Sequence, residues 1–322
     1  MRKIVVTGGC GYIGSHVARA FKLAGDEVYI IDQVKRDHTL KDIDGWFIGD
    51  FASEGSLSTI IDIKPDVIVH CAGTSLVGPS MENPSEYWHN NVTRLIKLLD
   101  IVAGMPKRPL MLFSSSASVY GDPEELPIPE KHKIDPISAY GNTKATAERI
   151  FQDYHLAYAI HSICFRFFNA AGAEPVNHDL GQEPGATHIV ARVLESAIEQ
   201  KTFKMYGSDY PTADGSCVRD YIHVWDLAQA HVLATEKRFG IAGWVGAQCV
   251  NLGTGHGISN KEIVNYAREN YNLPAPVIMA RRLGDPAKLV AQCEFARNWL
   301  GWTPKHSDLA SIMDSAYKWY TR

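Results

Sequence analysis

Tyr140 and Lys144 lie four positions apart in Ser138-Ala-Tyr-Gly-Asn-Thr-Lys144, a spacing that places both side chains on one face of a helix. The pair joins a phenol to an ammonium. A free phenol titrates near ~10, so populating its anion at neutral pH requires a shift of roughly three units, about 4 kcal/mol. A neighbouring cation can supply such a shift. Upstream, Phe113-Ser-Ser-Ser-Ala-Ser-Val-Tyr-Gly121 sets Ser116 just past an apolar run, a hydroxyl at the place where a buried strand would end. Alone, Tyr-x-x-x-Lys is also an ordinary amphipathic pair, so its meaning depends on what surrounds it.

The elements that must position these groups follow from hydrophobic period. Short apolar runs at 4–6, 28–31, 67–69 and 110–113 are expected to form buried parallel strands. Helical patterns fall between them at 12–24, 55–61 and 84–102, the last opening on a proline suited to a first turn. A further helix at 138–154 carries the Tyr–Lys pair. This alternation predicts an α/β protein with a doubly wound parallel (Rossmann) sheet that binds ligands at the carboxyl ends of its strands. From Asn169 onward glycine and proline cluster, predicting a smaller mixed α/β lobe. The expected division is 1–168 and 169–322, with part of 240–270 returning to the first domain.

Thr7-Gly-Gly-Cys-Gly-Tyr-Ile-Gly14 directly follows the first strand and opens the first helix. Glycines at 8, 9, 11 and 14 permit a tight turn and the approach of a pyrophosphate to the helix amides. Asp32 ends the second strand, where a carboxylate accepts both ribose hydroxyls and repels a 2′-phosphate, favouring NAD over NADP. Lys35 and Arg36 stand close by and read as solvated loop charges. Asp50, after the third strand, is either an adenine contact or a turn residue.

The formal net charge of −4, with 21% charged and 45% hydrophobic residues, argues against nucleic acid or an anionic membrane surface as partner. A small molecule is the expected ligand. Neither a signal peptide nor an apolar span of membrane length is apparent. The six cysteines lack C-x-x-C spacing, so no metal site is expected and reduced thiols in a cytoplasmic protein are.

Ser116, Tyr140 and Lys144 behind an N-terminal glycine loop resemble the extended short-chain dehydrogenase/reductase superfamily. Arg166-Phe-Phe-Asn-Ala-Ala-Gly172, the segment from Tyr206 to His223 containing Asp-Tyr-Pro-Thr-Ala-Asp-Gly and Val-Arg-Asp-Tyr-Ile-His, Asn251-Leu-Gly-Thr-Gly255 and Arg281-Arg-Leu-Gly-Asp-Pro286 are similar to those of UDP-glucose 4-epimerases. The resemblance spans nearly the whole chain. It implies NAD-dependent inversion of C4 in a UDP-hexose through a 4-keto sugar, with Tyr140 as base, Ser116 bonded to the hydroxyl and Lys144 on the nicotinamide ribose. The implied cofactor residues are Gly8, Gly11, Tyr12, Ile13, Asp32, Asp50, Phe51, Cys71, Ala72, Gly73, Asn90, Ser114, Tyr140, Lys144 and Phe167. For the UDP-sugar they are Ser116, Tyr140, Asn169, His188, Ile189, Lys204, Tyr206, Arg219, Arg282, Asp285 and Leu289, with Arg219 and Arg282 on the diphosphate and Tyr206 available to stack on uracil. A homodimer through the helices at 84–102 and 138–154 is also implied.

Three departures stand out. Ser75 replaces a family lysine beside the pyrophosphate, which implies looser NAD retention. Phe167 replaces a tyrosine beside the nicotinamide. Leu289 replaces a bulkier tyrosine at the wall that governs entry of N-acetylated sugars, so UDP-GlcNAc and UDP-GalNAc become candidate substrates. Nucleotide-sugar dehydratases share the fold but carry Asp-Glu where this chain has Ala117 and Ser118. A reductase with net NAD(P)H consumption and a non-enzymatic NAD-binding scaffold also compete with the epimerase. Activity without added nicotinamide separates the first, and the consequence of Tyr140→Phe the second.

Overall fold

Seven parallel strands form the centre of the chain in the computed structural model, which describes residues 1–35, 40, 42–240, 246–282 and 285–322, without the side chains of 237–240. Arg36 lies outside the described residues. The strands run β1 (Lys3–Thr7), β2 (Glu27–Asp32), β3 (Gly45–Ile48), β4 (Val67–His70), β5 (Leu110–Ser116), β6 (Ser162–Phe167), β7 (Asn169–Ala171), β8 (Lys204–Tyr206), β9 (Val218–His223), β10 (Ala247–Leu252), β11 (Gly257–Ser259), β12 (Val277–Met279) and β13 (Lys288–Leu289). The helices are α1 (Tyr12–Leu23), α2 (Glu54–Ile63), α3 (Val77–Glu82), α4 (Pro84–Trp88), α5 (Arg94–Gly104), α6 (Ala139–Tyr158), α7 (Ile189–Ile198), α8 (Val224–Gly240), α9 (Asn260–Tyr271), α10 (Glu294–Leu300) and α11 (Leu309–Tyr320).

The main sheet has the order β10-β6-β5-β4-β1-β2-β3. Sequence direction reverses between β1 and β4, which opens a crevice at their carboxyl ends. Ile4, Val5 and Val6 are all fully buried, because helices cover both faces. On one side α1, α8 and α10 pack around Phe21, Phe165 and Trp302; on the other α2, α5 and α6 enclose Ile60, Leu98 and Phe151. Smaller sheets lie beyond: β9 pairs with β7, β11 and β13, and β8 with β12. These pack with α7, α9 and α11 about Val193, Ile263 and Met313.

β10 comes from late in the chain yet pairs with β6, Cys249 facing Cys164 in register. The Tyr12 hydroxyl donates to the Gly172 carbonyl at 2.7 Å, and the Trp302 indole to the Asp226 carbonyl at 3.0 Å.

The single helix expected over 84–102 is instead α4, a π-helical turn at His89–Thr93, and α5. The widened turn carries the buried Asn91, whose side-chain oxygen accepts from the Thr74 amide at 2.8 Å. Its side-chain nitrogen donates to the Thr74 carbonyl at 2.9 Å and to the Thr143 hydroxyl at 3.0 Å. The register change thus serves a polar clamp that hydrophobic period does not encode.

Candidate active site

The glycine loop is shaped by contacts that leave no room for a side chain. A Cβ on Gly14 would lie 2.2 Å from the Gly8 carbonyl oxygen, and Gly8, at φ +71°, is itself pressed against the Ala72 backbone, 2.6 Å from where its own Cβ would be. Gly11 caps α1 with no side-chain hydrogen bond, so the first-turn amides face the crevice. Asp32 fixes this loop by accepting from the Cys10 amide at 2.9 Å through one carboxylate oxygen. Its other oxygen accepts from Val34 at 3.3 Å. Loop, uncapped helix and carboxylate together fit a dinucleotide.

The flanking cofactor candidates are brought to the same end of the sheet. Asp50 is half-buried and pairs with Arg94 at 2.9 Å, a partner the sequence did not suggest. Phe51 packs edge-on against His70, ring centres 4.8 Å apart. Cys71 accepts a hydrogen bond from the Ser114 hydroxyl at 3.2 Å, Ala72 abuts the glycine loop, and Gly73 faces the Asn91 side chain. Asn90 donates to the Thr74 hydroxyl at 2.7 Å. Ser75 lends its carbonyl to the Tyr87 hydroxyl at 2.7 Å. Tyr12 and Ile13 open α1; the Tyr12 hydroxyl is spent on Gly172, and Ile13 packs on the core. Phe167, at the end of β6, is 6% exposed and packs against Phe165 and His231.

α6 presents the chemistry. Ser138 caps it by accepting from the Gly141 amide at 3.0 Å, which puts Tyr140 in the first turn. A Cβ on Gly141 would stand 2.6 Å from the Ser118 carbonyl oxygen, so this glycine allows the helix to close on the turn after β5. Tyr140 thereby meets Ser116, whose hydroxyl also accepts from the Ser118 amide at 3.2 Å.

The electrostatics differ from the sequence expectation. Burial pushes the Tyr140 phenol up to about 12, the Ser116 hydrogen bond opposing the rise and the neighbouring Tyr87 adding to it. Lys144 is no permanent cation: burial pushes its ammonium down to about 8, against the upward pull of Cys71, Cys164 and Glu148. Its Nζ donates to the Ser114 carbonyl at 2.8 Å and stands 5.7 Å from the centre of the Tyr140 ring. Burial therefore outweighs the Ser116 hydrogen bond at the phenol, and Lys144 Nζ is spent on the Ser114 carbonyl.

The second-lobe candidates divide. Arg219 pairs with Asp285 at 2.6 Å, and Leu289 sits beside Arg219 in the β9–β13 register. The Arg282 guanidinium lies 4.0 Å over the Tyr206 ring, covering a face of the ring expected to stack on uracil. Arg282 and Asp285 line a cavity of about 340 Å³ with Tyr210, Arg281 and Asp122. Asn169 is half-buried at the start of β7, Lys204 is exposed on β8, and His188 and Ile189 form the entrance to α7. Sequence reasoning missed Asn91, Gly141, Tyr210 and Arg281. It also missed the carboxylate of Glu148, which the i+4 spacing from Lys144 could have flagged.

A parallel sheet whose order reverses beside a phosphate-binding turn, with a hydroxyl–phenol–amine cluster across the crevice, defines a class: dinucleotide-dependent enzymes that act on alcohols. The chain belongs to the NAD dependent epimerase/dehydratase family, which matches residues 4–253. It is 39% identical over 325 residues to a UDP-glucose 4-epimerase of Halalkalibacterium halodurans, covering 98% of this chain and 95% of that one. The crystal structure of UDP-glucose 4-epimerase from Brucella ovis in complex with NAD superposes with a TM-score of 0.92 at 37% identity, covering 99% and 98%. The Bifidobacterium longum enzyme in complex with NAD⁺ and UDP gives 0.90 at 31% identity, covering 99% and 98%.

Proposed function

We propose that this chain inverts C4 of a UDP-hexose, interconverting UDP-glucose and UDP-galactose through a 4-keto sugar. NAD, when bound, supplies the hydride acceptor and then the donor for C4. The amides at Gly8, Gly11 and the head of α1, the carboxylates of Asp32 and Asp50, the 71–73 backbone, Asn90, Ser114 and Lys144 would hold it. Tyr140 takes the C4 hydroxyl proton while Ser116 orients that hydroxyl, and the same proton returns when the carbonyl is reduced on its other face. Because the phenol is pushed up to about 12, Tyr140 becomes an effective base only when positive charge enters the crevice.

Arg219 and Arg282 bind the diphosphate through forked donors, which requires Arg219 to share its guanidinium with Asp285. Asn169 joins them at the diphosphate, and His188, Ile189, Lys204, Tyr206 and Asp285 enclose the uridine. Leu289 forms the wall beside the hexose, and its size favours admission of N-acetylated sugars as well. The proposed assembly is a homodimer through the α4–α5 and α6 segments, whose Trp88, Ile96, Leu156 and Tyr158 are exposed apolar side chains. No described helix is long and apolar enough to cross a membrane, and the six cysteines are free thiols, in keeping with a cytoplasmic protein.

The observation that carries this reading is the convergence of Ser116, Tyr140 and Lys144 at the carboxyl end of β5, across the crevice from the glycine loop. Incubating the purified protein with UDP-galactose and no added cofactor, then identifying the sugars, tests it. UDP-glucose should form. If UDP-glucose does not appear, even after NAD is supplied, the reading fails.

A further inference from the structure

Three consecutive residues of β5 meet three residues spaced by four on α6. The Ser114 carbonyl accepts from Lys144 Nζ at 2.8 Å, the Ser115 hydroxyl donates to Glu148 Oε1 at 2.5 Å, and the Ser116 hydroxyl meets the Tyr140 phenol. The middle contact is the one without a part in the proposed chemistry. Glu148 is also gripped by Arg166, which stands beside Ser115 in the β5–β6 register. Arg166 Nη2 lies 2.7 Å from Glu148 Oε2, and Nε lies 3.0 Å from Oε1. The pair is 4% and 5% exposed.

The remaining guanidinium nitrogen is fully occupied. Nη1 donates to the Tyr120 hydroxyl and to the Glu130 carbonyl, both at 2.8 Å. Tyr120 in turn donates to Asn251 at 2.6 Å. A buried ion pair of this kind is seldom needed for stability, since apolar residues of similar volume do as well or better. What it supplies instead is fixed geometry and a local field.

We propose that Glu148, held by Arg166, is a positioning residue: through Ser115 it sets the approach of α6 to β5 on which the Ser116–Tyr140 contact depends, and its carboxylate keeps Lys144 cationic. This rests on the epimerase reading above. The groups around Lys144 are His70 and Cys71 at the end of β4, Cys164 and Arg166 on β6, and Tyr140 and Glu148 on its own helix; of these Glu148 alone is a carboxylate. Burial holds His70 neutral, down at about 3, and pushes the Cys71 thiol up to about 11. Burial likewise pushes the Cys164 thiol well up, so of the three groups that pull Lys144 upward the carboxylate is Glu148.

The test is kcat and kcat/KM against pH for the NAD-saturated wild type, Glu148→Gln and Ser115→Ala, with UDP affinity and thermal unfolding measured on each. Glu148→Gln should move the alkaline limb to lower pH by about one unit, so that activity at pH 8 falls about fivefold. UDP affinity should stay as in the wild type. Ser115→Ala keeps the charge and loses the strut: kcat should fall about tenfold with the limb in place. A folded Glu148→Gln whose alkaline limb does not move, or a Ser115→Ala with wild-type kcat, overturns the proposal. Should Glu148→Gln fail to fold, Ser115→Ala decides alone. A wild type with no epimerase activity would instead sink the functional reading.

Discussion

Ser116→Ala removes one hydroxyl that has two partners, and the two losses are separable. Towards Tyr140, the hydroxyl opposes the burial that pushes the phenol up to about 12, a position from which deprotonation at pH 7 costs about 7 kcal/mol. A hydrogen bond to a charged group contributes about 1.5–3 kcal/mol, so losing it raises the phenol by roughly one to two units further. With Tyr140 carrying the C4 proton as proposed, kcat should fall roughly 10–100-fold, while KM, governed by the nucleotide contacts, changes little. Towards the backbone, the hydroxyl accepts from the Ser118 amide at 3.2 Å, and loss of such a cap costs about 1 kcal/mol. Thermal unfolding reads the second effect, and conversion of UDP-galactose at saturating NAD reads the first. Ser116→Thr keeps the hydroxyl and should recover most of kcat. If Ser116→Ala retains wild-type kcat while its Tm falls, the hydroxyl serves the turn alone and the proton-transfer argument is wrong.

Acid should unfold the protein early, because burial lowers His16 and His231 to about 4 and His70 and His223 to about 3. The unfolded chain takes up protons below ~6.5 that these folded imidazoles refuse, so each costs about 2 kcal/mol at pH 5 relative to pH 8; stability is full above ~6.5, and a Tm unchanged between pH 8 and pH 5 would refute this. Gly14→Ala drives a methyl to 2.2 Å from the Gly8 carbonyl and should destabilise the fold by about 1–3 kcal/mol while sharply lowering NAD retained through purification; a variant with full NAD content and wild-type Tm would contradict the tight-turn account. Leu289→Tyr should depress kcat/KM for UDP-GlcNAc more than for UDP-glucose. Undetectable wild-type turnover of UDP-GlcNAc disposes of the wide-pocket proposal.

The parallel sheet and the glycine loop were legible in sequence because both rest on local signals: unbroken apolar runs at Ile4–Val6 or Val67–Val69, and glycines at a strand-to-helix junction. Ser116, Tyr140 and Lys144 could be picked out by residue type and order. Their electrostatics could not. The titration of Tyr140 depends on its burial, on the Ser116 hydrogen bond and on Tyr87, and none of these is written in a spacing of four. The π-helical turn between α4 and α5 was hidden for a related reason, since the apolar stripe continues through it while Asn91 is held by a tertiary bond to Thr74. The Arg282–Tyr206 stack and the Arg219–Asp285 pair join residues distant in sequence, so they emerge only when β8, β9 and the segment before β13 are assembled.

β10 gives the architecture a dependence that the chain order conceals. It completes the large sheet from the far half of the polypeptide, lying along all six residues of β6. A fragment that stops after β6 would carry the glycine turn and α6, yet present a bare row of amides and carbonyls along its outermost strand, an open template for another chain to adhere to. Excising the first half alone would therefore lay that edge of the sheet open. A split version of the protein must be cut elsewhere, or be given the missing ribbon in trans.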